Sequence, residues 1–573
     1  MDWVLAFIGA ASAAYIFIIY RELAERPGLP TTEDVVLSVV GIVMVLEATR
    51  RALGPPLMIV AIVFIIYSFG GAHMPEIIAH QGPSLNKGMS HYYLTTEGVF
   101  GVALGISTSM VFLFVLFGSL LEKAGAGNYF IRVAFALMGH MQGGPAKAAV
   151  VSSALTGLVS GSAIANVVTT GTFTISLMKK VGVSAEKAGA VEVASSTNGQ
   201  STPPIMGAVA FLMVEFVGIT YTEVITHAAL PALISYIALV YIVHLEAVKA
   251  DMKGIPRRNP PRFLQSVTNF LLSFVGIAVV CVVVYYTLGW TKVAFGDATS
   301  WMTAVVMVIA YVGLVKYSTR FPELATDIEI TEFPTVGPTV KAGLYYLLPI
   351  FLLVWCLVVE RLSPGLSAFW ATAFMLFLLL TQSSVKAFKR NTDEPLISTL
   401  RQGVGEVTEG LISGSRNMIG IGVATAAAGI IVGTVTLMPI GQVMGELVEF
   451  LSGGYLILML FWTAVFSLIL GMGLPTTANY IVVSSLMAPV IVTIGAENGL
   501  IVTLIAAHMF VFYFGILEDD TPPVAIAAFA AAAISGGDPI KTGLQGFAYD
   551  TRTAILPFLF IFNTEILLIG VET

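Results

Sequence analysis

One irregular motif occurs twice in this chain. The first copy runs Gly143-Gly144, then Ala165-Asn166, then Thr202-Pro203-Pro204. The second runs Gly453-Gly454, then Ala478-Asn479, then Thr521-Pro522-Pro523. Both copies are embedded in strongly apolar sequence, yet their charged surroundings are reversed. The stretch around the first copy carries Lys123, Arg132, Lys147, Lys179, Lys180 and Lys187, whereas Leu437–Gly499 carries no Lys or Arg. After the Thr-Pro-Pro units the pattern swaps: Gly218–Ala229 has no basic residue, while Lys541 and Arg552 follow the second copy. Similar sequences with opposite sidedness are an inverted-topology repeat, the arrangement that places a transport site at the repeat interface.

The medium is set by composition. Hydrophobic residues make up 57% and charged residues 11%, against about 45–50% and about 25% in soluble domains. Met302–Val315, Tyr345–Val359 and Ala368–Leu380 contain no charge. The chain reads as an all-α polytopic membrane protein, because an outer-membrane barrel would show short alternating segments instead. Net charge of -7 carries little information, since topology follows the placement of Lys and Arg. Cys281 and Cys356 both sit in apolar runs and read as buried thiols. The N-terminus lacks a basic leader region, so Val4–Tyr20 is expected to be a first span and not a cleaved signal. With no long polar domain, any soluble function has to come from another chain. Membrane lipid and a small molecule are the partners this composition suits, not nucleic acid.

Four regions follow. Residues 1–93 hold three apolar segments, Val4–Tyr20, Val35–Glu47 and Pro56–Phe69. Residues 94–248 form the first repeat. Residues 249–400 form a connector with expected spans at 264–289, 300–317, 342–360 and 366–384. Residues 404–571 form the second repeat. Basic loops alternate correctly along the connector. Lys249, Lys253, Arg257, Arg258 and Arg262 precede it, and Lys316, Arg320 and Lys341, then Lys386, Lys389 and Arg390, recur within it. The positive-inside rule makes these loops cytoplasmic. Arg21 and Arg26 fall in a loop that this scheme puts outside.

Within each repeat, two apolar arms flank a polar tip. In the first (about 145–180) the arms are Pro145–Val159 and Val167–Met178, and the tip holds Ser160, Gly161, Ser162 and Asn166. In the second (about 455–495) the arms are Tyr455–Leu470 and Tyr480–Ile494. That tip runs Gly471 to Asn479 and includes Gly473, Thr476 and Thr477. Arms shorter than about 20 residues do not span a bilayer, so both copies read as re-entrant hairpins. The Thr-Pro-Pro units break the following helices. The first break holds Asn198, Gly199, Gln200, Ser201 and Thr202; the second holds Asp519, Asp520 and Thr521. Irregular backbone at membrane depth survives only beside protein or a water-filled cavity. There it offers carbonyls to a cation and helix N-terminal amides to an anion. Short neutral oxygen donors suit a hard cation better than a transition metal. Neither tip carries Lys or Arg. Glu192, Glu215 and His508, also flanked by apolar sequence, read as packing or interface residues.

Other functional classes fit poorly. An intramembrane aspartyl protease built on Asp519-Asp520 and Tyr549-Asp550 needs a Gly-x-Gly-Asp site, but Gly471-Met472-Gly473 is followed by Leu474. No nucleotide-binding loop of an ATP-driven pump is present, and no enzyme activity or cofactor is expected.

Several of these residues also carry a family resemblance. The run Gly143–Val151, the run Ser160–Gly171, Gly199-Gln200, Pro203–Ala208, and Asp519 before Thr521-Pro522-Pro523 resemble the tripartite ATP-independent periplasmic (TRAP) transporters. Leu46-Glu47-Ala48-Thr49-Arg50-Arg51 is similar to the fused permease of their TAXI branch. The resemblance runs from about residue 35 to the C-terminus. It implies a permease of the bacterial inner membrane with a small-subunit-like part (1–93) fused to a large subunit that moves as an elevator. A periplasmic TAXI-type binding protein would deliver an organic acid, such as a C4–C5 dicarboxylate. Sodium is the expected coupling ion, near Ser160, Asn166, Asn479 and Thr521, with protons as the alternative. A stand-alone carrier that needs no binding protein is the competing arrangement. Two departures stand out: three N-terminal apolar segments where a small subunit would have four, and Glu518 and Asp520 flanking Asp519.

Overall fold

All regular secondary structure among the described residues of the computed structural model is helical. The description covers residues 2–571 except 77, 253, nearly all of 255–297, 323–334, 391–394, 472 and 523–524. The expected span 264–289 lies outside it, apart from isolated positions.

Among the described residues, the N-terminal region has three long helices, α1 (Asp2–Ile18), α2 (Thr32–Ala52) and α3 (Pro55–Gly70), with shorter helical turns between and after them. A capping box starts α2. The Thr31 hydroxyl accepts from the Asp34 N–H at 3.3 Å, and Asp34 Oδ2 accepts from the Thr31 N–H at 2.7 Å. Buried Asp34 also receives Arg26 Nη1 at 2.6 Å and the Tyr15 hydroxyl at 2.7 Å. Arg26 therefore has a structural partner, which explains a basic residue where the charge pattern puts none. The cap also extends α2 to 21 residues, beyond the apolar segment Val35–Glu47.

The first repeat supplies α4 (Val102–Lys123), α5 (Ala126–Met138), α6 (Gly144–Ser160), α7 (Ala163–Lys180), α8 (Ala185–Gly199), α9 (Gly207–Val217) and α10 (Tyr221–Lys249). The connector supplies α11 (Ala298–Ser318), α12 (Leu344–Val359) and α13 (Pro364–Arg390). The second repeat supplies α14 (Leu396–Leu437), α15 (Ile440–Ser452), α16 (Leu456–Gly471), α17 (Thr476–Glu497), α18 (Leu504–Leu517), α19 (Ile526–Ser535) and α20 (Pro539–Phe562). Helices α4–α10 and α14–α20 correspond one to one in order. In both repeats a tightly turned pair, α6/α7 or α16/α17, precedes an interrupted pair, α8/α9 or α18/α19.

A helix, α12, lies where a span is expected at 342–360, and Val336–Ala342 meets it at 56° around Gly343. The Tyr129 ring fills the space where a Gly343 side chain would lie, and its hydroxyl donates to the Val340 carbonyl at 3.1 Å. The outgoing arm of the second hairpin is also longer than its apolar run, because α17 starts at Thr476 and continues to Glu497. Its 22 residues make it long and apolar enough to cross a membrane. At about 1.5 Å per residue, the 17 and 18 residues of α6 and α7 remain short of that.

The repeats interlock. Helix α7 packs on α19, and α8 on α19 and α20, while α9 packs on α17 and α18. Helix α14, 42 residues long, lies across α2, α3, α4, α13 and α17. Around α6–α8 the core is alanine-rich, with Ala146, Ala149, Ala188, Ala190, Ala194, Ala527, Ala528 and Ala531 buried together. Around α17 and α18 it is built from Tyr480, Leu486, Phe510, Phe512 and Tyr513.

Candidate functional site

Both hairpin tips and both breaks border one cavity of about 430 Å³. The first tip contributes Gly161, Ser162 and Asn166, and the second contributes Gly473, Thr476 and Thr477. Gln200 comes from one break and Asp519 from the other. The opposite wall is Ser119 and Glu122 of α4, and Asn417, Gly420 and Ala424 of α14. No Lys, Arg or His is among the described lining residues. The first turns of α7 (Ala163–Ala165) and of α17 (Thr476, Thr477) both face the cavity. Two helix N-termini thus bring free amides and the positive end of their dipoles to one space.

Local sequence explains how the tips are held. Gly161, at φ +60°, turns the chain out of α6, and Ser162 then caps α7 with its hydroxyl toward the Ala165 N–H. A Cβ on Gly161 would lie 2.7 Å from the Gly207 Cα, and one on Gly157 would lie 2.7 Å from the Gly199 Cα. Backbone therefore meets backbone where hairpin 1 rests on its broken helix. In both repeats, the fourth residue after the motif threonine is a non-glycine in the left-handed region, Met206 at φ 55° and Ala525 at φ 35°. Each starts the second half of its broken helix.

The motif asparagines hold their hairpins in the same way. Asn166 Nδ2 donates to the Ser153 carbonyl at 2.9 Å, and Asn479 Nδ2 donates to the Ser467 carbonyl at 3.3 Å. Asn166 Nδ2 also lies 2.9 Å from Ser153 Oγ, and Asn479 Nδ2 lies 2.5 Å from Glu518 Oε2. The Oδ1 atoms of both asparagines, and Oε1 of Glu518, are buried without a partner. Across the cavity, Asp519 Oδ2 accepts from Gln200 Nε2 at 2.8 Å and from the Thr476 hydroxyl at 3.4 Å.

The remaining residues singled out from sequence lie elsewhere. Asn198 and Asp520 are fully buried behind the cavity. Asn198 donates to Asp550 Oδ1 at 3.0 Å, and Asp520 Oδ1 accepts from Thr197 at 2.8 Å. Gly199 packs on Gly157. The hydroxyls of Ser201 and Thr202 turn back to the Asn198 carbonyl at 3.0 and 2.8 Å, and that of Thr521 to the Leu517 carbonyl at 2.6 Å. The side chain of Ser160, at the end of α6, is outside the described residues. Sequence reasoning overlooked Ser153, Ser467, Asn417, Ser119 and Glu122. Single polar residues inside long apolar helices gave no pattern to follow. Asp550, weighed only as a protease residue, instead meets Arg552 Nη2 at 2.9 Å. Glu215 is exposed, and His508 Nδ1 lies 2.7 Å from the Tyr480 hydroxyl.

The family model described as "Tripartite ATP-independent periplasmic transporter, DctM component" matches residues 40–320 and 297–573. The chain belongs to the TRAP transporter family, as a DctM component. With its apolar helices, it is a multi-pass integral protein of the inner membrane. Its similarity to the uncharacterized protein YgiK of Salmonella typhimurium is 26% identity over 175 residues, 30% of this chain and 40% of that one. Its similarity to the uncharacterized protein y4mL of Sinorhizobium fredii is 26% over 196 residues, 34% of this chain and 44% of that one. Each match thus covers less than half the length of the curated relative. The TRAP family model reaches back to residue 40 and so includes most of α2.

Proposed function

We propose that this chain is the membrane permease of a secondary transporter that imports organic carboxylates. A periplasmic binding protein of the TAXI type would deliver the solute, and a sodium or proton gradient would drive it. The convergence of both tips and both breaks on one cavity carries this reading. Two helix N-termini suit a carboxylate there in the absence of basic side chains. Asn166 Oδ1, Asn479 Oδ1 and Glu518 Oε1, buried and unpartnered, suit a hard monovalent cation beside each tip. A cation bound there adds positive charge where a carboxylate arrives, which couples the two solutes.

In this reading the hairpins (about 145–180 and 455–495) and the broken helices form a body that moves as an elevator. The N-terminal region 1–93 and the connector 249–400, embedded in lipid, form the static scaffold. Repeats 94–248 and 404–571 supply the moving parts. The cavity lies between the tips and α4 and α14, where such a body would slide.

Uptake of radiolabelled C4–C5 dicarboxylates into proteoliposomes tests the proposal. The binding protein is added or withheld, under an inward sodium or proton gradient. Uptake that requires both the binding protein and one gradient is expected. Uptake without the binding protein would replace the tripartite reading by a stand-alone carrier. No uptake under either gradient, with the binding protein present and loaded, would remove carboxylate import.

A further inference from the structure

Glu192 lies in the middle of α8, wholly buried, and does not border the cavity. Its polar surroundings are all hydroxyls. Thr170 of α7 contacts Oε1, and Thr174 of α7 lies 2.5 Å from Oε2. Ser153 of α6 and Ser196 of α8 complete the shell. Several charged groups on the neighbouring helices have partners elsewhere. Lys147 of α6 meets His244 of α10 at 3.1 Å, and Lys187 of α8 pairs with Glu246 of α10. Lys179 of α7 donates to the Ser535 carbonyl at 2.5 Å, while Lys180 is exposed. Asp550 and Arg552 of α20 pair with each other, His508 of α18 meets Tyr480, and α19 carries no charged residue. Tyr236 of α10 interacts electrostatically with Glu192, and its hydroxyl donates to the Ser195 carbonyl at 3.1 Å.

Proton counting then decides. Thr170 Oγ1 also lies 2.8 Å from the Asn166 carbonyl, and Thr174 Oγ1 lies 3.0 Å from the Thr170 carbonyl. Each threonine has one hydroxyl proton and two acceptors, a carbonyl one turn back and a Glu192 oxygen. With Glu192 ionised, the four hydroxyl protons of Thr170, Thr174, Ser153 and Ser196 face seven contacts, around a buried charge with no cationic partner among the described residues of its shell. With Glu192 protonated, a fifth proton enters and the buried charge disappears.

We propose that Glu192 is a proton-binding site, whose carboxyl carries a dissociable proton that joins the second arm of hairpin 1 to α8. On release, the O–H bond breaks, the proton passes to water, and the electron pair stays on the carboxylate. The site is linked to the tip. Glu192 bonds Ser153, and Ser153 accepts from Asn166, whose free Oδ1 is a cation ligand in the reading above. A cation there favours the ionised carboxylate, and by reciprocity the proton weakens the cation. This second part rests on the proposed transport reading; the proton site itself does not.

The test uses the full-length purified protein. Infrared difference spectra across a pH step should show a protonated-carboxyl C=O band that E192Q removes and D519N keeps. A spectrum unchanged by E192Q overturns the site. Should E192Q fail to fold, the T170V/T174V double variant replaces it. Its loss of thermal stability relative to the parent should grow as pH rises, because the ionised carboxylate then lacks its donors. A loss independent of pH overturns the site. In proteoliposomes, the apparent sodium affinity should weaken several-fold on acidification in the parent and stay constant in E192Q. Constancy in both would overturn the linkage. The spectroscopic and thermal readings do not depend on transport, so a failure of the transport reading remains separate.

Discussion

Break 1 and break 2 share a backbone plan and differ in chemistry. Aligned on their Thr-Pro-Pro units, Asn198-Gly199-Gln200-Ser201-Thr202 stands opposite Leu517-Glu518-Asp519-Asp520-Thr521. Met206 and Ala525 enter the second half-helices with the same left-handed turn. Hairpin 1 then meets its break through glycine backbones, Gly157 on Gly199 and Gly161 on Gly207. Hairpin 2 meets its break through a side chain, with Glu518 reaching past Gly471 to Asn479. The small-residue core around α6–α8 fits the first mode, since small residues let helices approach closely without water between them. The two breaks thus share a geometry, while one is neutral and shape-held and the other acidic.

The sharpest way to break this comparison is to add one carbon to each hairpin. At Gly157 the added Cβ would meet backbone, the Gly199 Cα at 2.7 Å, so no rotamer relieves it. Overpacking of this kind costs about 1–3 kcal/mol, and here it is concentrated on the seating of the tip. Gly157→Ala should reduce initial uptake by more than about tenfold, at unchanged membrane abundance, since about 1.4 kcal/mol is one decade. At Gly471 the obstacles are side-chain ends, the Glu518 carboxyl at 2.0 Å and the Asn479 amide at 2.5 Å. Gly471→Ala should therefore be partly restored by Glu518→Ala, whereas no side-chain truncation should restore Gly157→Ala. Equal rescue of both would show that the two seats are not different.

Next in size is the polar bridge between the breaks. Asp519→Ala leaves Gln200 Nε2 and the Thr476 hydroxyl without their shared acceptor. An orphaned buried donor costs about 1–3 kcal/mol, so uptake should fall roughly 10- to 100-fold. Gln200→Ala removes one donor to a carboxylate that keeps Thr476, and should fall less. A larger loss for Gln200→Ala would mean that the neutral break, not the acidic one, carries the bridge.

Much of this arrangement could be read from sequence because the tips and breaks are polar interruptions of apolar runs. Gly161-Ser162 between Val150 and Val167, and Thr202-Pro203 between Val193 and Val209, are visible as punctuation. The facing of each residue is not visible. Asn198 and Asp520 are as polar as Gln200 and Asp519, yet they turn to Thr197, Ser235 and Asp550 behind the cavity. A broken helix has no period from which to infer direction. The far wall was hidden for another reason: Ser119 and Asn417 meet at 3.3 Å, 298 residues apart, and each alone looks like any polar residue in a long helix. The bend at Gly343 depends on the Tyr129 ring, a tertiary contact. The length of α17 was masked by Thr476-Thr477 and Gly495-Ala496, which lower hydropathy without stopping a helix.

A smaller effect separates charge from shape at hairpin 2. Glu518→Gln keeps an oxygen for Asn479 Nδ2 and loses the negative charge beside it. The maximal uptake rate should change little, while the cation concentration for half-maximal uptake should rise about three- to tenfold, a change of about 0.7–1.4 kcal/mol. Break 1 has Gly199 at this position, so its cation response should come from Asn166 alone. A sodium titration that is the same in Glu518→Gln and parent would mean that the acidic break does not set cation affinity.

The smallest effect concerns the two threonines that the motif itself makes most visible. Thr202 Oγ1 donates to the Asn198 carbonyl at 2.8 Å, and Thr521 Oγ1 donates to the Leu517 carbonyl at 2.6 Å, each four residues back. Neither borders the cavity. Each carbonyl also accepts a backbone N–H, from Ser201 and from Asp520, both at 3.2 Å, so the threonine hydroxyl reinforces the last turn before the prolines break the helix. That is a task of the backbone, common to the neutral and the acidic break. Thr202→Ala and Thr521→Ala should therefore lower uptake alike and by no more than about fivefold, the scale of one neutral hydrogen bond at roughly 0.5–1 kcal/mol. Serine at either position should restore the parent rate. A much larger loss at Thr521 than at Thr202, not restored by serine's hydroxyl, would mean that the acidic break uses its threonine for more than closing a helix, and the geometric identity of the two breaks would end there.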